Sequence, residues 1–151
     1  MADSMTILLV DDKVMILLVC KQMLEAHGYH VLTASSPSEA MAIAENYKGD
    51  IDLLLTDVMM PGMNGVELSK KMSSARKNMK TLFMSGYTAE HFAQEGVDCN
   101  ITQLLQKPFA RGELIKRVRA VLEGDSSKPG VTFPGIANHP EGGYFRGNLS
   151  N

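Results

Sequence analysis

Ile51-Asp52-Leu53-Leu54-Leu55-Thr56-Asp57 is the stretch whose reading decides the fold. A strand with one wet face alternates apolar and polar residues. Three leucines in a row leave no polar face, so this strand is covered on both sides, as parallel strands packed between two layers of helix are. Ile7-Leu8-Leu9-Val10 and Leu82-Phe83-Met84 repeat the pattern. Strands are therefore expected at Thr6–Val10, His30–Ala34, 51–56, 81–85 and 102–106.

Segments of helical period separate them. Ser36-Pro37-Ser38-Glu39 is a capping box with proline at the first helical position, and the helix it opens turns Ala40, Ile43, Ala44 and Tyr47 inward. Asn64 with Glu67 opens another, with Leu68 and Met72 on its apolar side. A helix over 14–27 stops at Gly28 and one over 89–95 at Gly96, since glycine suits the left-handed turn that ends helices. A last helix over 111–123 carries Leu114, Val118, Val121 and Leu122 on one stripe. Five β-α units in this order predict right-handed crossovers and an α/β fold: a doubly wound, flavodoxin-like (βα)5 sandwich around a five-stranded parallel sheet.

At 151 residues and 44% hydrophobic, the chain fits one core and not two ordinary domains. A net charge of −2 without a Lys/Arg block speaks against nucleic acid or a polybasic membrane contact. Cys20 and Cys99 lie far apart without metal-ligand spacing, which suggests a reduced, cytoplasmic protein. Beyond Gly124 periodicity vanishes, and Gly, Pro, Ser and Asn make up more than half of the residues. Residues 5–123 thus read as the domain and 124–151 as a tail or truncated linker.

In doubly wound sheets ligands bind at the carboxyl ends of the strands. There the first strand delivers Asp11 and Asp12, the third Asp57, the fourth Ser85, and the fifth Lys107 before Pro108. Taken singly, each has an ordinary explanation as a turn, cap or surface residue. Together they converge three carboxylates, a hydroxyl and an ammonium at one end of one sheet. Carboxylates a few Å apart repel by roughly 4 kcal/mol per pair at a surface-like dielectric, so the cluster calls for a cation. Hard oxygen donors with room for water suit Mg2+, and a phosphoryl group is the natural second ligand.

Leu8-Leu9-Val10-Asp11-Asp12, Asp57-Val58-Met59-Met60-Pro61-Gly62-Met63-Asn64-Gly65, Met84-Ser85-Gly86-Tyr87 and Lys107-Pro108-Phe109 resemble the motifs of bacterial response-regulator receiver domains. The wording is most similar to receivers of hybrid histidine kinases. The resemblance implies that Asp57 is the phosphoacceptor and that Asp12 ligates Mg2+ directly, with Asp57. Asp11 acts through water and Met59 through its backbone carbonyl. Ser85 and Lys107 hold phosphoryl oxygens. It further implies a signalling domain rather than an enzyme in the usual sense, one that catalyses only its own phosphorylation and dephosphorylation. A histidine kinase or histidine phosphotransfer protein is the expected partner, and a homodimer is compatible with it. Three departures stand out: Lys13 follows the acidic pair, where the family often has an acid. Leu104 stands three residues before Lys107, where many members carry an aromatic switch residue, and Ser85 replaces the commoner threonine. Lys107 must turn into the pocket as the chain enters its last helix, and a cis Lys107–Pro108 peptide allows this.

Two rival readings fit parts of the pattern. A haloacid-dehalogenase-type phosphohydrolase would need its two acids one residue apart and a cap domain. A pseudo-receiver, switching without phosphate, would not need every side chain of the set. No Gly-rich loop follows the first strand, which excludes a P-loop or dinucleotide site. His27 reads as a helix-terminal residue favoured by the dipole. In the first helix, Ile16, Cys20, Met23 and His27 are expected to face the sheet, leaving Met15, Leu17 and Leu18 at the surface. That patch suits a helical-bundle phosphodonor, or a tail lying across it.

Overall fold

A computed structural model of the chain describes residues 4–86 and 104–124. Its five strands are β1 (Thr6–Val10), β2 (His30–Ala34), β3 (Leu53–Asp57), β4 (Lys80–Ser85) and β5 (Leu104–Gln106). They form one parallel sheet in the order β2-β1-β3-β4-β5. Four described helices connect or follow them: α1 (Val14–Glu25), α2 (Pro37–Asn46), α3 (Gly65–Ala75) and α4 (Arg111–Leu122). This is the expected flavodoxin-like α/β sandwich. The helix expected at 89–95, and with it Gly96, Tyr87 and Cys99, lies outside the described residues, as does 125–151.

The unbroken apolar runs are explained by the two cores. Ile7, Leu9, Leu53, Leu55, Leu82, Met84 and Leu105 point into one, with Leu17, Cys20 and Leu24 of α1 and Leu114, Ile115 and Val118 of α4. Leu8, Val10 and Leu54 point into the other, with Ala40 of α2 and Leu68 and Met72 of α3. Alternate residues of each strand thus enter opposite layers. Each fully buried leucine contributes about 1.5–3 kcal/mol against exposure.

Several boundaries and faces differ from the sequence reading. β3 begins at Leu53; just ahead of it the Asp52 carboxylate accepts the Thr6 N–H (2.8 Å), and Ile51 enters the α2–α3 core. Helix α1 ends at Glu25, and Gly28 follows with φ +93°. Its buried stripe is Leu17, Cys20 and Leu24, with Ile16 and Met23 half-buried and His27 exposed. Leu17 is therefore core, not surface: the helix is rotated by about one residue from the expected face, so Val14 and Val19 are exposed instead, beside Met15 and Leu18. His27 Nδ1 lies 3.1 Å from the Met23 carbonyl, just past the helix end.

Capping follows two patterns. Around α3 the box is reciprocal: Asn64 Oδ1 accepts the Glu67 N–H (2.9 Å) and Glu67 Oε1 accepts the Asn64 N–H (3.2 Å). At α2, Ser36 Oγ accepts the Glu39 N–H, but Glu39 Oε1 reaches one residue further back, to the N–H and hydroxyl of Ser35. At the far end of this layer, Arg76 donates to three carbonyls: Ala44 (2.8 and 3.2 Å), Tyr47 (2.8 Å) and Gly49 (2.9 Å). Its own N–H closes the last turn of α3 on Met72 (2.9 Å). Among the described residues no helix is long and apolar enough to cross a membrane.

Candidate acceptor pocket at the carboxyl edge of the sheet

Neighbouring strands end on neighbouring polar residues. β1 runs into Asp11, β3 ends on Asp57, β4 ends on Ser85, and β5 leads to Lys107. Because these strands pair in sequence across the sheet, parallel register delivers their ends to one edge. Asp11 and Ser85 are fully buried and Asp57 nearly so, while Asp12 stays exposed at the rim.

Lys107 Nζ lies 2.7 Å from Asp11 Oδ2 and 3.7 Å from Asp57 Oδ1. The other Asp11 oxygen accepts the Lys13 N–H (2.8 Å), which fixes the turn that carries Asp12. The Lys107–Pro108 peptide is cis. The Lys107 N–H donates to the Ser85 carbonyl (2.7 Å), so the backbones of these two residues are tied together. Met59 is half-buried in the loop after Asp57. Leu104 is buried in β5, and its carbonyl accepts from Arg117 of α4 (2.8 Å).

Electrostatics in the pocket are dominated by burial. The Asp57 carboxyl is pushed up to about 6, first by loss of solvent, against the pull of Lys107 and Lys13, with Asp11 and Asp12 adding to the rise. Asp57 thus has a counter-cation at 3.7 Å and still ionises reluctantly. Cys20, beneath the pocket, is pushed up to about 11, mainly by burial and then by Asp11; it is a packing residue in this setting.

Asp11, Asp12 and Asp57 each offer an oxygen within 4.8 Å of the others. The donors are all hard oxygens, and one of the three carboxylates faces water. This set fits a small divalent cation such as Mg2+, which keeps part of its hydration shell, better than it fits the softer metals that nitrogen and sulfur ligands select.

The role of one residue, quoted above only as the end of a motif, escaped the sequence reading. Gly65, the first residue of α3, packs so tightly under the pocket that a Cβ there would stand 2.2 Å from the Asp57 carbonyl oxygen. Its N–H donates to the Val58 carbonyl (2.8 Å). The available signal was a glycine at a helical position directly after the Asn64 cap, where alanine is the better helix former.

The family model of the response regulator receiver domain matches residues 7–119. Response regulator SaeR of Staphylococcus aureus (strain USA300) is 31% identical over 116 residues, which cover 77% of this chain and 50% of SaeR. The chain therefore spans about half the length of the curated relatives it matches. Among solved structures, the receiver domain of the hybrid histidine kinase CckA is 38% identical at a TM-score of 0.65, covering 78% of this chain and 98% of that one. A CheY-like receiver domain protein from Methanospirillum hungatei JF-1 is 30% identical at 0.67, covering 82% and 98%. With its acidic pocket at the carboxyl edge of a five-stranded parallel sheet, the chain belongs to the response regulator receiver domain family.

Proposed function

We propose that this chain accepts a phosphoryl group on Asp57, with Mg2+, from a histidine kinase or a histidine phosphotransfer protein, and changes shape in response. As a receiver domain it has a phosphoacceptor role in two-component signalling, and such domains interact with kinases and phosphotransfer proteins. The observation that carries the finer reading is the single constellation of Asp57, Asp11, Asp12 and Lys107 at one strand edge.

Phosphoryl transfer asks for positioning and for neutralisation of the equatorial oxygens. Asp57 supplies the attacking carboxylate oxygen from a buried, rigid strand end. Asp12 and Asp57, with Asp11 and the Met59 carbonyl, would hold the cation, whose bound charge would offset that of the phosphoryl oxygens. Lys107 would exchange Asp11 for a phosphoryl oxygen, and the Ser85 hydroxyl would bind another. Inward movement of Ser85 would then act on β5 and α4 through the Lys107 backbone and the Arg117–Leu104 bond. In this reading residues 5–123 form the working domain and 124–151 a tail or truncated linker.

Intact-mass measurement after incubation with acetyl phosphate and Mg2+ tests the proposal. Wild type should gain one phosphoryl group and Asp57→Asn none. An equal gain in both would sink the assignment.

A further inference from the structure

Lys13 stands at the mouth of the pocket, against the local rules of helix formation. It is the N-cap of α1, yet its side chain caps nothing, and the first turn of α1 contains no acid. N-caps favour Ser, Asp or Asn, whose oxygens bind the free N–H groups, and helix N-termini favour negative charge. A lysine opposes both. Its ammonium lies 3.7 Å from Asp12 Oδ1 with 66% of the side chain in solvent. Its charge also reaches Asp57, where it favours the ionised carboxylate. Rules of this kind are broken in folded proteins chiefly at functional sites.

The charge balance says what such a lysine does. Asp11, Asp12 and Asp57 against Lys107 alone leave a formal −2; Lys13 brings this to −1, and a divalent cation then makes the pocket net positive. We propose that Lys13 is a positioning and specificity residue for the phosphodonor: it rests on Asp12 in the metal-free pocket, yields that carboxylate to the cation, and meets the oxygens of an incoming dianionic acyl phosphate. The inference rests on Asp57 being the acceptor. In the transfer, a new bond forms between an Asp57 oxygen and phosphorus while the phosphorus–oxygen bond to the acyl group breaks. The acyl group leaves as a carboxylate, so no proton or electron has to be supplied. Lys13 makes no bond; it draws in and orients the anion.

The test is a series of Lys13→Arg, Lys13→Gln and Lys13→Glu in the full chain at low ionic strength, with acetyl phosphate as donor. Half-saturating acetyl phosphate should rise by about three- to tenfold from wild type to Lys13→Glu, more than the saturated rate falls, with Gln between and Arg close to wild type. The differences should shrink in half-molar salt, where the screening length falls to about 4 Å. Mg2+ affinity of the unphosphorylated protein, read by calorimetry, should tighten about three- to tenfold in Lys13→Glu, because a competitor for Asp12 is gone. Melting temperatures should hold or rise across Gln and Glu, since a misplaced cation leaves the N-terminus of α1. A flat series in donor saturation overturns the inference, whether or not Mg2+ binding changes, and so does a loss that Arg fails to rescue. Wild type that takes no phosphoryl group on Asp57 overturns the underlying reading instead.

Discussion

Helices α1 and α3 both begin at the pocket, and they begin on opposite principles. The start of α3 is saturated: a reciprocal Asn64–Glu67 box, an acid in the first turn, and Gly65 pressed against the Asp57 carbonyl. The start of α1 has a lysine cap and no acid, and Val14, Met15, Leu18 and Val19 are exposed, Met15 at 68%. The difference separates two tasks. The α3 end immobilises the residue that has to be placed accurately, while the α1 end keeps an apolar, basic rim open towards whatever approaches the pocket.

The sharpest way to break this contrast is Gly65→Ala. At an ordinary helical position the change would stabilise by up to about 1 kcal/mol. Here the added methyl meets the Asp57 carbonyl at 2.2 Å and the Thr56 methyl at 3.2 Å. The expected sign is therefore reversed, with a loss of about 3 kcal/mol in urea titration and slower labelling of Asp57. A neutral or stabilising result would show that α3 does not hold Asp57 in place.

Asp57→Asn sharpens the same point through pH. Burial pushes the Asp57 carboxyl from its ordinary value of 3.8 up to about 6, so the folded protein holds this proton more tightly than the unfolded chain. That contribution is complete below about pH 4, erodes as pH rises, and is lost above about 6. With metal chelated, Asp57→Asn should match wild type near pH 4 and exceed it by roughly 3 kcal/mol at pH 7.5. Thermal melts across that range would show a gap that opens with pH; a constant gap would contradict the burial argument.

The smallest effect on stability belongs to the α1 rim. Leu18 is 52% exposed, so Leu18→Glu should move stability by less than about 0.5 kcal/mol. It should nevertheless slow transfer from a protein donor while leaving acetyl phosphate labelling nearly unchanged. Equal loss with both donors would mean that the pocket itself was damaged, and no loss with either would give the patch another purpose.

The sheet and the polar strand ends were legible because both follow from local rules: doubly buried strands are apolar throughout, and strand ends deliver polar residues to one edge. What sequence did not show depends on rotation and distance. Leu17 and Leu18 differ by 100° on a helix and have the same chemistry, so pattern alone left the buried face of α1 off by one residue. Ile115 joined the α4 stripe for the same reason. Glu39 reaching Ser35 rather than Ser36 depends on a rotamer choice between two nearby donors. Gly65 and Arg76 act through contacts with residues 7 to 32 positions away, which no periodicity records.

Arg76 has a consequence for how the chain is punctuated. A helix usually needs its own stop signal, such as a glycine or a proline beyond its last turn; α2 is followed by Tyr47 and Lys48, and α3 by Arg76 itself. The guanidinium collects the loose carbonyls in the last turn of α2 and just beyond it, while the backbone N–H of the same residue closes α3, so one residue serves as the full stop for two sentences. Lysine, with one point of attachment in place of a planar fork, would leave at least one of them unpunctuated.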